Sequence, residues 1–387
     1  MNIIELKERQ KKAIELCKEN KRFGVFFDMG GGKTATMLSL INHLVFETQE
    51  CKSVLIIAPP SIITKGRVWQ KEIEKWENFK HIDFIEMVGD KLSRLGKKGK
   101  ASVTLLSDGL IQWYYDNFKH MHDYDVIIVD ESSRFKSPTA KRSKLLRKMV
   151  DYKKRLYLLS GTPCPNSVED LWAQMYLIDK GKTLGKFITH FRNRFGISDG
   201  WYGYTYAKST VDFINKLIKP YCIFAKVDEE ELPKCEEKEI HLDFNKNMLR
   251  EYKRFVSSNV LYFSDGTEVS TLRIVDTLNK ALQFTNGCIY TSEYGEEQTY
   301  KEVNDTKLEW VINFLQNTTE NVLIFYSYKF DRIRLLENIN GAVELKTAED
   351  IDRWNRGEIR LAIASPYSLG HGVNLQGGGH TVIWYGL

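Results

Sequence analysis

The sequence predicts a doubly wound α/β protein of two lobes with irregular insertions between them. Two observations carry this. Short apolar runs alternate with helix-period segments through the first 180 residues, and the same alternation resumes after about residue 300. The first runs are Gly24–Phe27, Val54–Ile57, Phe84–Val88, Val103–Leu106, Val126–Val129 and Leu156–Leu159. They do not alternate with polar residues, which suits strands of a parallel sheet buried on both faces. Between them Met37, Leu40, Ile41 and Leu44 recur at helical spacing, as do Val168, Leu171, Trp172 and Met175 after Ser167, a candidate N-cap. From about 180 to 300 the pattern changes. Asp199-Gly200 and Asp265-Gly266 are turn signals, and Lys208–Ile218 and Ile274–Phe284 read as helices. Asp228–Glu231 and Pro233 read as an exposed connector, and Val322–Tyr326, Leu361–Ala364 and Thr381–Tyr385 as buried strands. The expected lobes are residues 1–226, with a helical insertion from about 180, and residues 227–387, opening on a helical lead-in.

Composition narrows the class. Of the 387 residues 42% are hydrophobic and 28% charged, an ordinary globular balance. No stretch reaches the ~18 apolar residues of a membrane span, and the N-terminus lacks a secretory pattern. The six cysteines share no C-x-x-C spacing, so they read as reduced thiols in a cytoplasmic protein. The net charge of +5 permits nucleic-acid binding without demonstrating it. The basic clusters Lys91–Lys100 and Lys141–Lys148 read as solvated faces. Trp201, Tyr202, Tyr204 and Tyr206 read as hairpin packing rather than base-stacking platforms, and His120 and His122 as surface residues.

Two motifs carry chemistry. Asp28-Met-Gly-Gly-Gly-Lys-Thr34 follows a buried strand and opens a helix, the context of a phosphate-binding loop. Gly30, Gly31 and Gly32 let backbone N–H groups approach phosphate oxygens. Lys33 would reach the β and γ phosphates of ATP, and Thr34 would hold Mg²⁺. The strict pattern wants glycine at position 27, and this chain has Phe27. Downstream, an apolar run ends in Asp130-Glu131. Asp130 would hold Mg²⁺ through water, and Glu131 would orient and deprotonate the attacking water.

With these in place, the chain resembles the Swi/Snf branch of the superfamily 2 helicase-like ATPases, and among them short phage-type members. Leu6–Gln10 resembles the adenine-reading element, with Gln10 as reader. Ile56–Ser61 and Val68–Trp76 resemble motif Ia and the stretch that follows it. Asp130-Glu-Ser-Ser133 is similar to motif II, although the family more often has histidine at the last position, the residue that usually links to motif III. Ser160-Gly-Thr162-Pro163 resembles motif III, where Ser160 and Thr162 would couple nucleotide state to lobe movement. In the second lobe, Val322–Ser327 resembles the approach to motif IV and Ser368–Gln376 motif V.

The resemblance implies two RecA-like lobes with parallel sheets, an ATP- and Mg²⁺-dependent hydrolase, and a motor on nucleic acid. The expected track is double-stranded DNA. A strand-separating helicase on single-stranded DNA or RNA, and a binding module without turnover, are the alternatives. Gly372 and Asn374 would complete the nucleotide cleft. Pro60, Ser61, Lys65, Arg134, Lys136, Ser327, Lys329 and Ser368 would contact the nucleic-acid backbone. No membrane partner is expected, and a phage-encoded member would act in the host cytoplasm. The family's motif VI arginines lie beyond a strand equivalent to Thr381–Tyr385, and this sequence stops at Leu387. An arginine finger is worth ~10³–10⁵ in rate, so the chain as written is expected to bind ATP–Mg²⁺ and hydrolyse it weakly.

Overall fold

A computed structural model describes residues 3–200, 203–226, 235–271, 274–292, 298–369 and 373–386. The chain divides into two compact units, Met1–Lys234 and Cys235–Leu387.

The first unit is built on a seven-stranded parallel sheet. Its strands are β1 (Arg22–Phe27), β2 (Val54–Ala58), β3 (Phe84–Glu86), β4 (Val103–Ser107), β5 (Val126–Val129), β6 (Arg155–Leu159) and, after a small hairpin of β7 (Ile197–Ser198) and β8 (Tyr204–Thr205), β9 (Cys222–Ala225). Their order is β3-β4-β2-β5-β6-β1-β9. The helices between them are α1 (Glu8–Glu19), α2 (Lys33–Ile41), α3 (Val68–Lys75), α4 (Lys91–Lys97), α5 (Ile111–Phe118), α6 (Lys141–Met149) and α7 (Asp170–Asp179). β2 and β5 are buried at every position, as their unbroken apolar runs require of inner strands. β3 is half-buried and shorter than the run Phe84–Val88, because only β4 flanks it. Apolar side chains from the two faces of the sheet feed two separate cores, one around Ile127, Leu158 and Trp172, the other around Val25, Ile56 and Ile128.

The periodic helices bury the residues their spacing selects. Met37, Leu40 and Ile41 lie inward on α2, and Leu44 follows in a π-helical extension, Asn42–Glu47. Val168, Leu171, Trp172 and Met175 are also buried, but Ser167 is not the cap of α7. Ser167 instead closes a turn. Its carbonyl accepts from the Asp170 N–H at 3.0 Å and its hydroxyl from the Glu169 N–H at 3.2 Å, so the helix begins at Asp170.

β9 is the element that the sequence hides. It is four residues long, follows Pro220, and pairs parallel with β1 some two hundred residues upstream, Phe27 opposite Ala225.

The second unit contains hairpins of β10 (Val260–Tyr262) with β11 (Glu268–Ser270) and of β12 (Cys288–Tyr290) with β13 (Tyr300–Glu302). Its parallel sheet comprises β14 (Val322–Phe325), β15 (Ala342–Glu344), β16 (Leu361–Ala364) and β17 (Thr381–Trp384), ordered β15-β16-β14-β17. The turn signals at Asp199-Gly200 and Asp265-Gly266 both sit in hairpins. Trp201, Tyr202, the connector Asp228–Glu231 with Pro233, Gly370 and Gly372 lie outside the described residues.

Candidate functional site

Strand order assembles the site. β6 lies between β5 and β1, so the carboxyl ends of three adjacent parallel strands bring Asp130, Ser160-Gly161 and the glycine loop to one edge of the sheet. The loop leaves β1 at Asp28, turns with Gly30 at φ 75° and Gly32 at φ 81°, and enters α2 at Lys33. Both angles are left-handed, and a side chain at Gly32 would also place its β-carbon 2.4 Å from Gln10 Nε2. Thr36 anchors the turn, its N–H and hydroxyl both donating to the Gly32 carbonyl at 3.0 and 2.9 Å.

Phe27, the departure from the strict loop pattern, has a structural reason. It is the last residue of β1, fully buried, and its carbonyl accepts from Lys33 Nζ at 2.9 Å. Its bulk is accommodated at Gly31, where a β-carbon would fall 2.8 Å from Phe27 Cβ. Lys33 Nζ also donates to the Asp28 carbonyl at 3.3 Å, so the ammonium is held at the mouth of the loop. Gln10 is buried and both ends of its amide are used. Nε2 donates to the Gly32 carbonyl at 3.1 Å, and Oε1 accepts from the Lys7 N–H at 2.8 Å. In this structure Gln10 ties α1 to the loop.

The acids are buried at the end of β5. The Asp130 N–H donates to the Ile57 carbonyl at 2.8 Å. Its Oδ2 accepts from the buried Trp69 indole at 3.0 Å, and its Oδ1 from the Glu131 N–H at 3.0 Å. Burial, then the neighbouring Glu131 charge, pushes the Asp130 carboxyl up to about 6, against the pull of Trp69 and Lys33. Burial also raises Glu131, with Lys33 and Arg134 opposing. Glu131 holds a left-handed backbone, φ 50° and ψ 52°, the kind of strain that clusters at functional sites.

These features fit a phosphate chain with a divalent cation. Backbone N–H groups and the N-terminus of the nine-residue α2 face the loop, and two adjacent buried carboxylates are the groups a cation would relieve. Thr34, at the second position of α2, is half-buried beside Lys33.

The Ser160–Pro163 loop lies against the glycine loop. A β-carbon on Gly161 would fall 3.5 Å from the Met29 nitrogen and 3.6 Å from Lys33 Nζ. Ser160 is buried, and its hydroxyl accepts from the N–H of the exposed Thr162 at 3.2 Å. Trp69 entered the sequence reading only as part of a pattern, and Gly161 without a contact. Their proximity to Asp130 and Lys33 arises from packing between elements distant in sequence.

Most of the remaining candidates follow strand ends within their own unit. Pro60 is exposed and opens the π-helical turn Ser61–Lys65, in which Ser61 is buried and Lys65 half-buried. Arg134 Nε donates to the buried Asp108 at 2.5 Å, and Lys136 Nζ to Asp170 at 3.4 Å, so both cations have carboxylate partners. In the second unit, β14 and β16 are neighbours, and their carboxyl ends place Ser327–Lys329 and Ser368 on one edge of that sheet. The Ser327 and Tyr328 N–H groups donate to Asp331 Oδ2 at 3.3 and 2.9 Å, while Lys329 and Ser368 are exposed. Asn374 is exposed, and its Oδ1 accepts from the Gln376 N–H at 3.0 Å.

The family model of the SNF2-related domain matches residues 10–289. The chain belongs to that family. Its SNF2 sequence is 28% identical to protein p41 of Acyrthosiphon pisum secondary endosymbiont phage 1 over 385 residues, covering 94% of this chain and 81% of p41. It is 25% identical to nuclear protein STH1/NPS1 of Saccharomyces cerevisiae over 317 residues, 75% of this chain but only 22% of that much longer protein. Among solved structures, the Sulfolobus solfataricus SWI2/SNF2 ATPase core in complex with dsDNA matches with a TM-score of 0.52 at 19% identity. That match covers 99% of this chain and 82% of the other. The two parallel sheets are thus those of an SNF2 ATPase core, with RecA-like lobes. No helix among the described residues is long and apolar enough to cross a membrane.

Proposed function

We propose that this SNF2-family chain is an ATP-driven motor that translocates on double-stranded DNA. The observation that carries the reading is the convergence of Lys33, Asp130, Glu131 and Gly161 at the carboxyl ends of β1, β5 and β6. Gly30, Gly31, Gly32 and Lys33 bind the phosphates of ATP, and Thr34 and Asp130 hold Mg²⁺. A cation held by Thr34 and Asp130 would supply neutralisation of the phosphoryl charge. Glu131 orients water and takes its proton. Its raised affinity for that proton suits a base. Gln10 fixes the loop from below and contributes at the adenine side, while Ser160 and Thr162 carry the change of nucleotide state outward. Gly372 and Asn374 contribute from the second lobe.

Pro60, Ser61, Lys65, Ser327, Lys329 and Ser368 meet the DNA backbone, contacts that grip phosphates without reading sequence. Arg134 and Lys136 join them while shared with Asp108 and Asp170. A fold neighbour bound to dsDNA supports duplex as the track, and a phage relative supports the host-cell cytoplasm as the place of action.

The test is ATP hydrolysis without nucleic acid and with single-stranded DNA, duplex DNA or RNA. Stimulation by duplex, lowered about 10²-fold or more in Lys33→Ala, is the expected result. Stimulation by single strands or RNA alone would replace translocation with strand separation. Nucleotide binding with no stimulation would make the chain a binding module.

A further inference from the structure

Gln174 lies on α7, outside every motif that led to the site, and is fully buried. Both ends of its amide are hydrogen-bonded. Oε1 accepts from the Ser132 hydroxyl at 2.7 Å, and Nε2 donates to the Pro163 carbonyl at 2.5 Å and the Asp170 carbonyl at 3.0 Å. Ser132 is itself buried and directly follows Glu131; Pro163 closes the loop whose Gly161 lies against Met29 and Lys33. One side chain therefore bridges the loop bearing the acids to the loop touching the phosphate site. In a dry interior a broken bond of this kind has no water to replace it, so the three groups move together. The fourth position of Asp130-Glu-Ser-Ser133 offers no imidazole for such a bridge.

We infer that Gln174 is a positioning residue that couples the Ser160–Pro163 loop to Glu131 through the Ser132 hydroxyl. Displacement of the phosphate loop against Gly161 reaches Pro163, draws the Gln174 amide, and through Ser132 shifts the strained backbone of Glu131. The inference rests on the nucleotide site proposed above.

Hydrogen–deuterium exchange on the whole chain, with and without ATP–Mg²⁺, separates the two. In the wild type, nucleotide should slow exchange in peptides covering 28–34, 160–164 and 131–136. In Gln174→Leu and in Ser132→Ala, the first two should remain protected while 131–136 loses most of its response. Ser132→Thr, which keeps the hydroxyl, should restore it. Should Gln174→Leu not fold, Ser132→Ala, which removes a single bond, carries the test. A merely structural role would lower the melting temperature yet leave the nucleotide response of 131–136 intact, and that result overturns the inference. Absence of protection at 28–34 in the wild type, matching Lys33→Ala, would instead overturn the nucleotide site and the coupling with it.

Discussion

Two buried carboxyl groups show how single residues set the chemistry of this chain. Asp130 keeps both oxygens satisfied, one by the Trp69 indole and one by the next backbone N–H. Trp69→Phe keeps most of the shape and removes the donor, leaving a buried carboxylate oxygen unpaired. The expected cost is about 1–3 kcal/mol in denaturant unfolding, with weaker Mg²⁺-dependent nucleotide binding. Asp331 is the counterpart in the second unit. Its Oδ2 accepts from Ser327, Tyr328 and Asn286, while its buried Oδ1 finds no partner among the described residues. Burial pushes this carboxyl up to about 6, although those hydrogen bonds and Lys307 oppose the rise. A folded-state value above the ordinary 3.8 means the native protein binds the proton more tightly than the unfolded chain. The resulting stabilisation is full below about 4 and is lost as pH rises through about 6, on the order of 2–3 kcal/mol in all. Unfolding free energies measured from pH 4 to pH 7 should show this decline in the wild type and a smaller one in Asp331→Asn, where the raised Asp130 carboxyl still contributes.

At the scale of elements, the glycine loop is fitted to the strand before it and the helix beneath it. Gly31→Ala would push a β-carbon into Phe27, and Gly32→Ala would force a left-handed alanine against Gln10. The second change is expected to cost at least 1–2 kcal/mol in stability and to weaken nucleotide binding, both measurable by thermal shift with and without ATP–Mg²⁺. Gly30→Ala, with the same sign of φ but open space around it, should cost less. The strands whose apolar runs were unbroken, such as Val126–Val129 and Leu361–Ala364, were legible to the residue because burial on both faces leaves no polar alternation to confuse. β9 and β15 were not legible. Each is an edge strand of three or four residues, and a single flanking strand demands too little apolar sequence to stand out. The start of α7 was misplaced at Ser167 because a serine that closes a turn and one that caps a helix make the same first hydrogen bond.

The whole molecule combines two units with cores of their own. Those of the first draw on residues up to Ala225, and those of the second begin at Phe244. Since the glycine loop, both acids and the Ser160–Pro163 loop fall in the first unit, a fragment ending at Lys234 should melt cooperatively and keep a Lys33-dependent thermal shift with ATP–Mg²⁺. Loss of that shift would show that binding requires the second unit. The sequence by itself determined the fold class and marked out the glycine loop with Lys33 and Thr34 and the acid pair Asp130-Glu131. Strand burial and loop chemistry are local properties, written in consecutive residues. Only the tertiary structure decided that Trp69 holds Asp130, that Phe27 is tolerated because position 31 is glycine, and that Gln174 joins Ser132 to Pro163. It also decided that Arg134 and Lys136 face carboxylates. Apart from the local fit of Phe27 to Gly31, these contacts are set by strand order and helix packing between segments up to 61 residues apart, and no local pattern encodes which distant side chain will fill a given buried position.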